Sequence, residues 1–428
     1  MLIKLDPVFK DKDLGTRGTT IIKRCVHRGF CNSHCPTFIQ TGDQKLGPRG
    51  RIYLIRDFLQ GAELTHEIQQ SIELCIACRS CVQSCPAGVE VNELIALART
   101  EMRNKLQLTR YQRSKRWVIS QIIPYPERFR IILSLAQALR PVLPIHIRNA
   151  LPTITQPNLI TYEKNVHNPA QKMTCSSVIV LAGCAQKTLT PNTTIAAVNL
   201  LRRLGLEVVE IKKETCCGAV HKSLGYNDSA KQQMRQNMDQ WWPHISKGVS
   251  AIIATSSSCE LALSEYKKTF EQDQQYQNKA ASISALTTNL AELLLEADLK
   301  PLRPKPCKLS VALHTPCSLR NGLNKHKILT QLLEKLSVRL IPVNHDRICC
   351  GSGGVYSLLH EEMGNVLGDN KSAALEANNP DIIITANTSC QQHLMTKTSV
   401  PVVHWAEFLH QYIFTNRDRT KTRKSIKL

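Results

Sequence analysis

Aromatic residues make up only 5% of this 428-residue chain, and 34 acidic residues face 55 lysines and arginines, giving a formal net charge of +21. No RNA- or DNA-binding motif accompanies the basic residues, so nucleic acid is not an expected partner. No apolar run approaches the ~18 residues that a membrane-spanning helix needs. The opening residues, MLIKLDPVFKDKDLG, hold no apolar core of a secretory signal, so the expected location is the cytoplasm. H-E-x-x-H, G-x-S-x-G and Walker-type sequences are also missing, which removes three common catalytic sites.

Cysteine, by contrast, is abundant, with 17 in the chain. In a reducing compartment so many thiols point to metal or redox chemistry rather than to disulfides. The length suits two to three domains of about 150 residues each. Seven cysteines lie between positions 25 and 85, and ten lie between 175 and 390. The interval between these blocks carries a basic cluster, with eleven Lys/Arg between positions 99 and 148 against Glu101 and Glu127. Pro124, Pro126, Pro141, Pro144, Pro152 and Pro157 divide it into short helices and turns. Residues 417–428 add six basic side chains against Asp418. Both segments suit an acidic protein or anionic lipid.

The run Cys75-Ile-Ala-Cys78-Arg-Ser-Cys81-Val-Gln-Ser-Cys85-Pro86 is C-x2-C-x2-C-x3-C-P. Three closely spaced thiolates hold three irons of one cubane, and the fourth cysteine turns toward the other cluster of a pair. Zinc sites use separated C-x2-C pairs and give the C-x3-C-P ending no role. An upstream run, Cys25-Val-His-Arg28-Gly-Phe-Cys31-Asn-Ser-His-Cys35-Pro36, has the same frame with Arg28 at the second position. Crossed pairing then predicts a [4Fe–4S] cluster on Cys35, Cys75, Cys78 and Cys81. A second site keeps the three thiolates Cys25, Cys31 and Cys85. Arginine stays cationic and cannot ligate iron. The second site therefore holds [3Fe–4S], or [4Fe–4S] completed by water, His27 or His34, or no cluster; the intact frame favours a three-thiolate cluster.

The later cysteines form an internal repeat. Cys184 precedes Cys216-Cys217-Gly218, and Cys317 precedes Cys349-Cys350-Gly351, by the same 32 positions, with Cys259 and Cys390 following. Each cysteine follows a strand-like run: SSVIVLAGC, LEVVEIKKETCCG and AIIATSSSC in one half, LSVALHTPC, VRLIPVNHDRICCG and DIIITANTSC in the other. Strands alternating with helical patterns predict parallel α/β units whose sites lie at the carboxyl ends of the strands. Cys184, Cys216, Cys217 and Cys259 then converge, as do Cys317, Cys349, Cys350 and Cys390. Such sites suit a further iron–sulfur centre, another soft metal, or a cycling dithiol. The GSGGVY segment is read as the turn after Cys350 rather than a dinucleotide loop. Cys175 and Cys307 are read as buried or free thiols.

The predicted fold is thus a helical di-cluster ferredoxin-like domain followed by two tandem α/β Cys-Cys-Gly repeat domains. The expected boundaries are 1–100 for the di-cluster domain, 101–170 for a basic helical linker, 171–300 and 301–415 for the repeats, and 416–428 for a basic tail.

CVHRGFCNSHCPTF, GPRGRIYLIRDFLQG, CIACRSCVQSCPAGV, LAGCAQKTLTPNT, TCCGAV, WWPHI, ICCGSGGVY, DNKSAALEANNPDIIITANTSCQQHL and VVHWAEF together resemble the iron–sulfur subunit of bacterial glycolate oxidase (glycolate dehydrogenase). Subunits of heterodisulfide reductase, anaerobic glycerol-3-phosphate dehydrogenase and lactate-utilisation complexes are broader relatives. The resemblance implies an electron-transfer subunit. Its partners would be FAD-containing subunits that oxidise glycolate to glyoxylate, and its electrons would go toward membrane quinone at the cytoplasmic face of the inner membrane. The family has cysteine where Arg28 stands. Relatives with well-defined Cys-Cys-Gly sites end each repeat in C-x2-C, whereas this chain has Ser256 and Asn387 at the first of those positions. A heterodisulfide-type thiol–disulfide enzyme and an iron–sulfur sensor are the alternative readings.

Overall fold

The computed structural model describes residues 3–103, 108–142, 152, 177–209, 211, 213–302 and 304–414. The basic tail, most of 143–176 and Cys175 lie outside the described residues.

Helices carry the first hundred residues. Pro48 opens the Pro48–Leu59 helix at a position where its missing N–H costs nothing. The Thr65 hydroxyl accepts from the Ile68 amide and starts the His66–Glu73 helix. Ile52, Ile55 and Leu59 share one face and meet Ile72 of the His66–Glu73 helix and Leu94 and Ala98 of the Val91–Met102 helix. Cys25, Cys75, Cys81 and Cys85 pack against this core, so burying it also positions four thiols.

The rest of the fold holds two parallel sheets of identical topology. The first contains β1 (Ser177–Leu181), β2 (Glu207–Val209), β3 (Ala251–Ala254) and β4 (Thr287–Thr288), in the order β2-β1-β3-β4. The second contains β5 (Ser310–His314), β6 (Arg339–Ile341), β7 (Ile382–Thr385) and β8 (Val402–His404), in the order β6-β5-β7-β8. Val178 pairs with Ala251 as Val311 pairs with Ile382. Strands covered on both faces read as continuous apolar runs, as AIIA and IIIT do.

Alternate residues of these strands enter different cores. Val178, Val180 and Ile253 join Val311, Ile384, Trp405 and Phe408 in one core shared by the two halves. Ile179, Leu181 and Ile252 face a second core under the Asn227–Ile245 helix. Ile253 is fully buried, so truncating it to Ala would cost about 2–5 kcal/mol.

Between the cysteine blocks, the helices Arg110–Ile122 and Pro126–Ala138 form a hairpin, the first begun by a Thr109/Gln112 capping box. Ile119 packs on Leu224 and Val355, and Phe129 and Leu133 pack on Leu189. The opposite face exposes Tyr111, Trp117, Ile131, Leu135 and Leu139.

Candidate metal centres

Cys35, Cys75, Cys78 and Cys81 line one small cavity together with Arg51. Ala77 and Arg79 hold φ of 56° and 60°, a left-handed conformation that a loop folded back over its own centre requires. Arg99 Nη2 donates to the carbonyls of Ile72, Glu73 and Cys75 and anchors the start of this loop. Arg51 is only 2% exposed. Its Nε donates to Ser71 O (2.8 Å), its Nη2 to Thr37 Oγ1 (3.1 Å), and its Nη1 lies 3.7 Å from Cys35 Sγ. Burial, reinforced by neighbouring thiols, pushes Cys78 and Cys81 well above the ordinary thiol range. Four soft donors beside a buried cation suit an anionic cluster whose iron offsets that cost of ionisation.

The upstream loop repeats this backbone. His27 and Gly29 hold φ of 56° and 80°, matching Ala77 and Arg79, so Arg28 occupies the place of Cys78. The Arg28 side chain is exposed. Burial raises the Cys31 thiol, with Cys25, Cys85 and Cys35 among its neighbours. His27 Nδ1 lies 3.8 Å from Cys25 Sγ, and its ring stacks on Tyr53 at 4.8 Å. His34 Nδ1 lies 3.1 Å from Phe30 O. A three-thiolate set with His27 alongside is therefore what the local geometry offers.

All eight repeat cysteines follow the carboxyl ends of parallel strands. Gly218 and Gly351 adopt φ of 88° and 79°, and a Cβ on them would lie 2.5 Å from Met234 Cε and 2.4 Å from Gly364 O. Only glycine permits this approach of the Cys-Cys pair to the neighbouring helix. In the first half Cys184 Sγ lies 3.2 Å from Cys216 Sγ. Hydrogen bonds from Cys184 and Cys217 hold the Cys216 sulfur well below an ordinary thiol, and the same bond raises Cys184. Cys217 in turn meets Cys259. The second half repeats the chain of contacts: Cys317 meets Cys349, and Cys350 meets both Cys349 and Cys390. Buried Cys307 joins the shared core, away from both sets.

The second half also abuts the four-cysteine cavity. Cys78 shares an apolar cluster with Cys349, Ile76, Tyr356, Leu367 and Cys317. Asn321 Nδ2 donates to Cys78 O (2.9 Å), and Tyr356 OH donates to Leu74 O (3.0 Å). A Cβ on Gly353 would lie 2.9 Å from Ile76 Cγ1, so the GSGG turn is a close-packing surface against the ligand loop. The first half touches the helical unit through ion pairs, Arg79 with Glu265 and Lys268 with Glu93.

Sequence reasoning missed Arg51, Arg99, Asn321, His314 and Lys371. Arg51 and Lys371 lie within quoted segments, GPRGRIYLIRDFLQG and DNKSAALEANN, but nothing in a single sequence marks a lysine or arginine as buried.

The chain matches the 4Fe-4S dicluster domain family over residues 21–89 and the cysteine-rich domain family over residues 178–264 and 311–395. It is 37% identical over 392 residues to the glycolate oxidase iron-sulfur subunit of Escherichia coli (strain K12), covering 92% of this chain and 94% of that one. It is 27% identical over 395 residues to the probable glycolate oxidase iron-sulfur subunit of Bacillus subtilis (strain 168), covering 86% of each. Lactate utilization protein A of Bacillus subtilis (strain 168) is 26% identical over 223 residues, half of this chain and 91% of that one. With iron–sulfur domains in this order and a likeness that runs through both repeats, the chain belongs to the glycolate oxidase iron–sulfur subunit family.

Proposed function

We propose that this protein is the electron-transfer subunit of a glycolate-oxidising complex. It accepts electrons from an FAD-containing partner that converts glycolate to glyoxylate, and it delivers them toward quinone at a membrane. The observation that carries this reading is the contact of Cys78, a wall of the four-cysteine cavity, with Cys317 and Cys349 of the second repeat. It makes a continuous line of thiols from the helical unit to the end of a sheet. Iron–sulfur clusters, when bound, supply one-electron carriage; Cys35, Cys75, Cys78 and Cys81 would hold one, and Cys25, Cys31 and Cys85 the other. This chain's own part is to fix the thiols, exclude water from them, and place the Arg51 charge beside Cys35. A positive charge there favours the more negative, reduced state.

The hairpin of residues 110–142 supports a membrane-facing side. Its exposed apolar residues lie among Arg110, Arg113, Arg128, Arg130 and Arg140, the composition of a helix pair that rests on anionic lipid. No helix among the described residues is long and apolar enough to cross a membrane.

The test is co-expression with the flavoprotein subunits, anaerobic purification of the complex, and EPR after glycolate addition. Glycolate-dependent reduction of the clusters in the complex, and none in the isolated chain, is expected. Failure of the two to associate, or clusters indifferent to glycolate, would remove the proposal.

A further inference from the structure

We propose that His314 is a metal ligand of the second Cys-Cys-Gly site, giving that half a mixed imidazole–thiolate iron–sulfur centre. The inference builds on an iron–sulfur centre in this repeat and adds a ligand that the cysteine repeat does not predict.

His314 ends β5 and is 1% exposed. Its ligand nitrogen, Cys350 Sγ and Cys390 Sγ all lie within 4.8 Å of one another. Among the described residues no other group of three or more His, Cys, Asp or Glu side chains meets that spacing. Nδ1 of His314 lies 2.8 Å from Thr385 Oγ1. With Nδ1 engaged by that hydroxyl, Nε2 is the ring nitrogen left for a cation, and a metal-bound histidine usually has its other ring nitrogen hydrogen-bonded. Asn387 Nδ2 donates to Cys390 Sγ (3.2 Å), a hydrogen bond suited to a thiolate.

The first half is the internal control. Counting back from Cys184 and Cys317, Leu181 occupies the place of His314. The buried faces of the equivalent helices also correspond. Ala230, Met234, Asn237 and Trp241 repeat the spacing of Gly364, Gly368, Lys371 and Leu375. Lys371 therefore stands where the first half has Asn237. Its fully buried ammonium bonds Asp346 O (2.9 Å), and its charge acts on Cys350 and Cys349. The second half thus has both an imidazole and a cation where the first has an apolar side chain and an amide.

The experiment compares ⁵⁷Fe Mössbauer spectra and iron content of the full chain, prepared anaerobically, with those of His314→Leu and His314→Cys. Pulsed EPR of ¹⁵N-histidine-labelled protein, reduced and oxidised, accompanies it. The expected result is one iron subspectrum that shifts in His314→Cys and is lost with its iron in His314→Leu, while the signals of the N-terminal clusters persist. Should His314→Leu fail to fold, the shift in His314→Cys and the imidazole coupling of the labelled wild type decide the question. Superimposable spectra in wild type and His314→Cys would overturn the proposal. So would an imidazole coupling that survives in a folded variant, or a repeat that carries zinc or no iron. Glycolate-driven reduction of the N-terminal clusters would still stand or fall separately.

Discussion

The Ser256 hydroxyl donates a 2.6 Å hydrogen bond to Asn387 Oδ1, joining the two residues that hold equivalent places in the two repeats. Ser258 Oγ donates to the same oxygen (2.8 Å), and Asn387 Nδ2 donates to Ser389 Oγ (2.9 Å) and Cys390 Sγ (3.2 Å). The backbone continues the seam, with Ser257 N donating to Ala386 O (2.9 Å). The positions three residues before Cys259 and Cys390 are thus the polar fastening between the halves, and each half keeps four thiols.

Asn387 uses its amide fully, so its removal strands several buried partners. Asn387→Ala should lower the unfolding free energy by about 2–3 kcal/mol, because each orphaned polar group costs about 1–3 kcal/mol. Ser256→Ala leaves Ser258 on the same oxygen and should cost only about 1 kcal/mol. Urea titration of both variants checks this; equal effects would mean that the seam is not organised around the amide.

Arg28 is exposed and sits in a loop whose backbone already matches that of Cys78. Arg28→Cys should therefore change stability by less than about 0.5 kcal/mol, as expected for a surface site. It should also complete the Cys25, Cys31 and Cys85 set. EPR of the oxidised protein should show a [3Fe–4S] signal in the parent chain and lose it in the variant, with a [4Fe–4S] signal gained on reduction. A parent chain without that signal, or a variant that keeps it, would contradict the three-thiolate assignment.

The repeat was legible because strand, helix and cysteine recur at one spacing, and periodic burial has a periodic sequence. Val178 to Leu181 and Ile382 to Thr385 announce themselves as buried parallel strands. The basic interval reads as a helical linker; its helices pack onto their neighbours through Ile119, Phe129 and Leu133, and their apolar spacing alone does not identify those neighbours. His314 and Lys371 were not legible. A histidine before T-P-C and a lysine within a polar helix are ordinary in sequence, and their chemistry comes from tertiary burial between long-range neighbours.

Arg51 places a buried guanidinium 3.7 Å from Cys35 Sγ. Arg51→Leu should make the potential of the neighbouring cluster more negative, because the reduced state loses a compensating charge. The variant should also lose stability, since Ser71 O and Thr37 Oγ1 lose their donor, an orphaning worth about 1–3 kcal/mol each. EPR-monitored redox titration should move this cluster and leave the second in place; a common shift of both would point to general unfolding.

Glu407 is buried beside Thr193, whose hydroxyl donates to it, and burial pushes its carboxyl up to about 7 from the ordinary 4.5. The folded state then binds the proton more tightly than the unfolded state. Its stabilising contribution is full below pH 4.5 and is lost as pH rises through about 7. Glu407→Gln keeps a neutral acceptor for Thr193. The variant should match the parent in acid and exceed it above pH 8, by at most about 3 kcal/mol. Thermal melts across that range check the sign; a parent more stable than the variant in alkali would show Glu407 paired with an unrecognised cation.

The exposed face of the 110–142 hairpin should bind anionic vesicles without the flavoprotein. Trp117 and Leu135 are 58% and 59% exposed, so Trp117→Ser and Leu135→Ser leave the core intact and remove only apolar contact with lipid. Arg113 and Arg140 flank them on the solvent side. Each basic residue near an anionic leaflet is worth about 1 kcal/mol, so Arg113→Ser with Arg140→Ser should weaken binding on the order of 30-fold. Flotation with vesicles containing phosphatidylserine or phosphatidylglycerol measures the loss. Binding should fall with salt, because the Debye length shortens from about 10 Å at 0.1 M to about 3 Å at 1 M. Neutral vesicles should retain only the weaker apolar component. Equal binding to neutral and anionic vesicles, or a salt-independent affinity unaffected by the arginine pair, would leave the hairpin as a contact for the protein partner instead.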